Sequence, residues 1–242
     1  MSNKGELLGA RIATDGQWRF PYSAKVTNKF NQALINYEDK RFYSHIGVDP
    51  LALARATYLN LKQGKVVSVA STLSMQVIRL ARKNPKRTYF EKIIEMILTL
   101  RLELRFSKEE IFALYASHAP FGGNVVGVET AAWRYFGRST EQLSWAESAT
   151  LAVLPNSPSM IHPGRNRNTL KSQRDALLTQ LPKKNILAAI ELKLARLEHL
   201  PQKPVVLPRL APHLLNTLLA NEKHPNTLTT NNRFNSPIIN PP

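Results

Sequence analysis

Cysteine is absent from the 242-residue chain, which excludes a disulfide framework, a thiolate zinc site and a cysteine nucleophile. No run reaches the roughly 18 apolar residues of a membrane-spanning helix. The opening Met1-Ser-Asn-Lys-Gly-Glu-Leu-Leu also lacks the charged start and apolar middle of a signal peptide, so the expectation is a chain that neither spans a membrane nor exports itself. Acidic residues are scarce: 17 Asp and Glu stand against 33 Lys and Arg, a formal charge of +16 with a pI near 10.2. That imbalance asks for an anionic partner, and charge alone does not choose among nucleic acid, an anionic membrane surface and a phosphorylated substrate. With 43% hydrophobic and 21% charged residues, burial can offset the entropy of folding, which excludes global disorder.

Glycine is missing between Gly64 and Gly122, a stretch rich in Leu, Ile, Lys, Arg and Glu that reads as consecutive helices. Phe30, Leu34, Ile35 and Tyr37 form a helical stripe leading into Glu38 and Asp39. A second helix is predicted over Leu51 to Lys62 with Gly64 to end it, and a third from near Ser71 to before Asn84-Pro85. The segment Tyr89 to Phe106, with Phe90, Ile93, Ile94, Ile97, Leu98 and Leu104, predicts a central buried helix. Ser107 with Glu110 and Ser144 with Glu147 have capping-box spacing. Pro120-Phe-Gly-Gly123 reads as a loop, a short helix after Gly127 should end at Gly137, and the helix after Ser144 should end at Pro155. Strand alternation and internal repeats are lacking. Eight of the 16 prolines lie from Pro201 onward, which marks a loose tail. The predicted organisation is a lead-in over 1–19, a mainly helical domain over 20–165, a helical annex over 166–200 and an irregular tail over 201–242.

Chemistry concentrates in Tyr37-Glu38-Asp39-Lys40-Arg41-Phe42-Tyr43-Ser44-His45-Ile46-Gly47, two adjacent carboxylates at a helix end beside aromatics and a histidine. Taken alone such a pair is an ordinary solvated helix end. The pattern Glu-Asp-x-x-Phe-x-x-His-x-Gly, however, resembles the first signature of the peptidoglycan glycosyltransferases, the polymerising domain of class A penicillin-binding proteins. Ala70-Ser71-Thr72-Leu73-Ser74-Met75-Gln76 resembles the second signature, with Ala70 in its glycine position. Arg87-Thr88, Lys92 and Glu95 resemble the third, and Lys108-x-x-Ile111-x-x-x-Tyr115 the fourth. Tyr135-Phe-Gly137, Leu143-Ser-Trp-Ala-Glu147 and Leu151-Ala-Val-Leu-Pro155 resemble the fifth. Ser71-Thr-Leu-x-Met-Gln76, Ala119-Pro-Phe-Gly-Gly and Gly16-Gln-Trp-Arg look most like the family's 1C branch.

The resemblance covers about residues 5 to 220. It implies a mainly α, lysozyme-like domain that polymerises lipid II into glycan strands with inversion, releasing polyprenyl diphosphate at the periplasmic face of the bacterial inner membrane. Glu38 matches the family's general base, and such help is worth about 10²–10⁴-fold. Glu95 matches its second carboxylate, associated with the donor site and a divalent cation, Mg2+ or Mn2+. Arg79 and Arg87 suit the departing diphosphate, since guanidinium grips two oxygens at once. Asp39, Phe42, His45, Ser71, Thr72, Gln76 and Lys92 complete the expected substrate-binding set, with Ser71 also suited to a helix N-cap. His45 reads as a packed histidine, Glu147 as a cap, and the Lys92–Glu95 spacing also as an ordinary ion pair. Glu91, Ala116 and Ser117 depart from the common pattern. Leu51, Leu53, Tyr58 and Leu59 fall where the family touches the membrane, and read equally well as core. Expected partners are lipid II, the growing strand, an anionic membrane surface and other cell-wall synthesis proteins, with no nucleic acid.

Three other readings stay open. One is an inactive, truncated remnant: Leu210-Ala-Pro-His213 resembles the connection to a transpeptidase, and no Ser-x-x-Lys occurs, so no transpeptidase activity is expected. The second is a lysozyme-like hydrolase. The third, a basic nucleic-acid-binding module, rests on charge and short helices only.

Overall fold

The computed structural model describes residue 7 and residues 9–64, 71–86, 88–156, 163–208 and 210; Ala70, Arg87 and His213 lie outside them. The expected mainly α class is found. Among the described residues the named strands are two residues each, β1 (Trp18–Arg19) and β2 (Val125–Val126), paired in parallel. The described residues form two compact units, one within 38–115 and the other within 7–37 and 116–210.

The 38–115 unit begins at Glu38, the last residue of α1 (Asn28–Glu38), whose buried Phe30, Ala33, Leu34 and Ile35 realise the predicted stripe. α2 (Pro50–Gln63) starts where the Asp49 carboxylate accepts from the Ala52 N–H and Pro50 supplies a helix-ready φ; Gly64, at φ +63°, closes it. α3 (Leu73–Ala81) is capped by Thr72, whose hydroxyl accepts from the Met75 N–H. Ser71 is therefore not the cap, because its hydroxyl is turned to two cationic side chains described below. α5 (Lys108–His118) opens with the predicted reciprocal bonds between Ser107 and Glu110.

α4 (Tyr89–Glu103) corrects an expectation. It was expected to be a buried central helix, yet its buried residues are Glu95, Thr99 and Leu102. Phe90 is 70% exposed, Ile97 61% and, just past its end, Leu104 87%, with Tyr89 and Ile93 also exposed. The apolar stripe exists at helical spacing but points outward, while the stripe at 95, 99 and 102 packs against α3.

In the other unit α7 (Trp145–Val153) is the hub. Every residue from Ala146 to Val153 is buried, and a Ser144–Glu147 capping box starts the helix as predicted. It packs on α6 (Val128–Phe136), α8 (Arg167–Gln180) and α9 (Ala189–Leu197). α6 runs between Gly127 and Gly137 as expected. Gly127 is required twice over, by φ +86° and because a Cβ there would sit 2.7 Å from the Ser117 carbonyl oxygen.

Candidate active site

The 38–115 unit contains the described part of the predicted constellation. Gln76 Nε2 donates to Glu38 Oε2 at 3.1 Å, and Glu38 Oε1 is buried with no hydrogen-bond partner among the described residues. Burial pushes the Glu38 carboxyl above the usual carboxylate range; the Gln76 bond opposes this, and the charge of Asp39 adds to it. A shielded carboxylate with one free oxygen and a raised pKa is equipped to accept a proton.

Around it Asp39, Phe42, His45 and Thr72 make contacts inside the fold. Asp39 accepts from the Leu73 N–H at 3.0 Å, tying the first signature to the start of α3. The Gly47 N–H donates to His45 Nδ1, which leaves Nε2 to donate, 3.1 Å from each Asp39 oxygen. His45 is thus a packed histidine, as read from the sequence. Phe42 is wholly buried, edge-on to Phe112 and beneath Lys108 Nζ at 4.6 Å. Thr72 Oγ1 donates to the Gly47 carbonyl. Gly47 has φ +86°, and a Cβ there would meet Thr99 Cγ2 at 2.6 Å; a larger residue would push α4 away. Lys108 completes the bracket by donating to the His45 carbonyl at 2.6 Å and to Glu103 Oε1 at 2.7 Å.

A second cluster gathers Ser71, Arg79, Lys92 and Glu95. Glu95 is 5% exposed. Arg79 Nη2 lies 2.7 Å from its Oε1 and 3.0 Å from its Oε2, and Lys92 Nζ 3.1 Å from Oε2. Both cations also donate to the Ser71 hydroxyl, at 3.5 Å and 3.0 Å. One carboxylate thereby gathers two cations whose positive charge exceeds its own by one. Gln76 and Arg79, three apart on α3, lie on neighbouring positions of one helix face, so a single helix serves both clusters. Glu91 pairs with Arg82, which takes up the charge of that departure. Arg87 lies outside the described residues.

This arrangement does not fit a divalent cation at Glu95. Both carboxylate oxygens already face cationic nitrogens, and the described residues hold no group of three or more His, Asp or Glu placed to bind a metal. Glu147 is engaged in its capping box and by Arg138. Lys108 and Tyr115 match the fourth signature, and the motif alone assigns them no role. Their spacing of seven on α5, which puts both on one face, was the available signal.

The family model described as "Transglycosylase" matches residues 5–182. Penicillin-binding protein 1C of Escherichia coli is 39% identical over 231 residues, 95% of this chain and 30% of that protein. Penicillin-binding protein 1A of Aquifex aeolicus is 34% identical over 180 residues, 74% of this chain and 24% of that protein. Among solved structures, penicillin-binding protein 1A from Haemophilus influenzae aligns with a TM-score of 0.48 at 18% identity, covering 93% of this chain and 24% of that one. The chain thus spans less than a third of the length of each of these relatives.

Proposed function

From the premise that the chain belongs to the transglycosylase family, we propose that it is a peptidoglycan glycosyltransferase that polymerises lipid II with inversion and releases polyprenyl diphosphate. The observation that carries this reading is Glu38, shielded and held by one oxygen while the other meets no hydrogen-bond partner among the described residues. A sugar hydroxyl is a poor nucleophile. As the acceptor's 4-oxygen bonds to the donor's anomeric carbon, its proton passes to Glu38 Oε1. The bond from that carbon to the diphosphate breaks, and the electron pair leaves with the phosphate oxygen. Negative charge grows on the leaving group, where preorganised cations act most strongly. Arg79, Lys92 and the Ser71 hydroxyl form such a group, and Arg87 joins it on the strength of its motif alone.

The proposal includes a membrane surface. The chain carries +16 formal charges, and each basic residue near an anionic bilayer contributes about 1 kcal/mol. Leu51, Leu53, Tyr58 and Leu61 of α2 and Phe90, Ile93 and Ile97 of α4 are exposed, a pattern suited to an apolar environment. No described helix is long and apolar enough to cross a membrane.

The test is incubation with labelled lipid II followed by glycan-length analysis, with Glu38→Gln as the comparison. The unmodified chain should build strands, and the variant should lose about 10²-fold or more in turnover while still binding lipid II. Wild-type turnover by Glu38→Gln would remove the base assignment, and no polymerisation by the unmodified chain would favour the inactive-remnant reading.

A further inference from the structure

Gln76 has an unusual position: it is the group that holds Glu38, and it is itself held. Tyr115, on α5 and 1% exposed, donates its hydroxyl to Gln76 Oε1 at 3.3 Å. The contacts form one line, from Tyr115 O–H to the Gln76 carbonyl oxygen and from the Gln76 amide N–H to Glu38 Oε2. We propose that Tyr115 is a positioning residue for the proton acceptor, acting through Gln76 to keep the amide turned with its N–H toward the Glu38 carboxylate. This inference rests on the glycosyl-transfer reading only for its consequence in catalysis; the linkage itself concerns three side chains of the folded protein.

The chemistry gives the line a direction. A charged carboxylate has acceptors only, so the amide must present nitrogen to it. The carbonyl oxygen then faces the other way and needs a donor. Turned round, the amide would set oxygen against oxygen at Glu38. A tyrosine hydroxyl can donate or accept, and burial with the nearby charge of Glu38 pushes its pKa well above the ordinary value of 10. The hydroxyl therefore keeps its proton and stays available as the donor. The ring is anchored in a helix whose Ile111, Phe112 and Leu114 are buried, so a rigid group orients a flexible glutamine. Each bond in such a chain polarises the next, which strengthens the last one to the carboxylate. The charge that acts on Glu38 is Asp39 beside it; Tyr115 from α5 feels the Glu38 charge and stays neutral, with the neutral Gln76 from α3 between them.

The sign of the expected effect follows. The Gln76 bond favours the charged carboxylate, so loosening it raises the pKa of Glu38 further. With ¹³C-carboxyl-labelled glutamate, and the Glu38 signal assigned by its loss in Glu38→Gln, Glu38 should titrate at higher pH in both Tyr115→Phe and Gln76→Met. The double variant should titrate no higher than Gln76→Met alone, because the tyrosine acts through the amide. In turnover, the acid limb of kcat/KM for lipid II should move up with the titration while KM stays constant. Full replacement of tyrosine by 3-fluorotyrosine, whose hydroxyl donates more strongly, should move Glu38 the opposite way and does not depend on the folding of a truncated side chain. An unmoved Glu38 titration in Tyr115→Phe or with 3-fluorotyrosine, or additive shifts in the double variant, would overturn the linkage. A shifted titration in a chain that does not polymerise lipid II would sink the glycosyl-transfer reading and leave the linkage standing.

Discussion

α4 and α7 are both rich in apolar residues, and they use them in opposite ways. In α7 every residue from Ala146 to Val153 is inside, which is what water demands of an apolar segment. In α4 the inside is Glu95, Thr99 and Leu102, and Phe90, Ile93 and Ile97 are outside. The difference extends to the residues around each helix. In the 38–115 unit the buried charges Asp39, Asp49 and Glu95 are each bonded to a named donor, whereas around α7 the charges Glu147 and Arg174 are buried within an interior that is otherwise chiefly Leu, Ala and Val. One region is built as a core and the other as a polar site carrying an apolar coat. Hydrophobic periodicity detects a stripe on a helix and says nothing of which way the stripe faces.

The comparison can be tested by perturbing each side. The largest effect should come from the core: Leu151→Ala should destabilise the chain by about 2–5 kcal/mol, as cavity-forming leucine deletions do. Leu104→Ala, on an 87% exposed residue, should stay within about 0.5 kcal/mol. Denaturant unfolding of the two variants checks this, and equal losses would mean that the stripe ending at Leu104 is buried after all.

A middle-sized effect of opposite sign is expected at Glu38. Its folded pKa is raised, so the native state holds its proton to higher pH than the unfolded chain does. Below the ordinary carboxylate pKa both states are protonated, and stability then falls as pH rises through the folded value. Glu38→Gln should therefore be the more stable protein at pH 7, by about 0.5–2 kcal/mol, the usual gain when a functional strain is removed. The gap should close toward pH 4. Thermal unfolding at the two pH values measures it, and a gap independent of pH would show that the buried carboxylate is not its source.

The smallest effect on stability should come from the outward stripe. Phe90→Ser and Ile97→Ser should each change unfolding by no more than about 0.5 kcal/mol, while together they weaken pelleting with anionic vesicles. Unchanged pelleting by the double variant would show that the stripe does not meet the bilayer.

The sequence alone determined much of the local structure, because caps and breakers act within a few residues. Ser107 with Glu110, Ser144 with Glu147, and Gly64, Gly127 and Gly137 all mark element ends where they were read, whereas the Asp49-Pro50 start of α2 was not read from the sequence. It also determined the family, since the signatures recur in order along the chain. Three matters needed the tertiary structure. Which of Ser71 and Thr72 caps α3 depended on Arg79 and Lys92 occupying the serine hydroxyl. The inward face of α4 depended on Arg79 and Lys92 meeting Glu95 and on the close approach at Gly47. The line from Tyr115 through Gln76 to Glu38 joins residues 39 and 38 positions apart. Spacing along one helix or strand carries no information about contacts between elements, so only the tertiary meeting of Gln76 and Tyr115 at Glu38 could bring those three side chains into register.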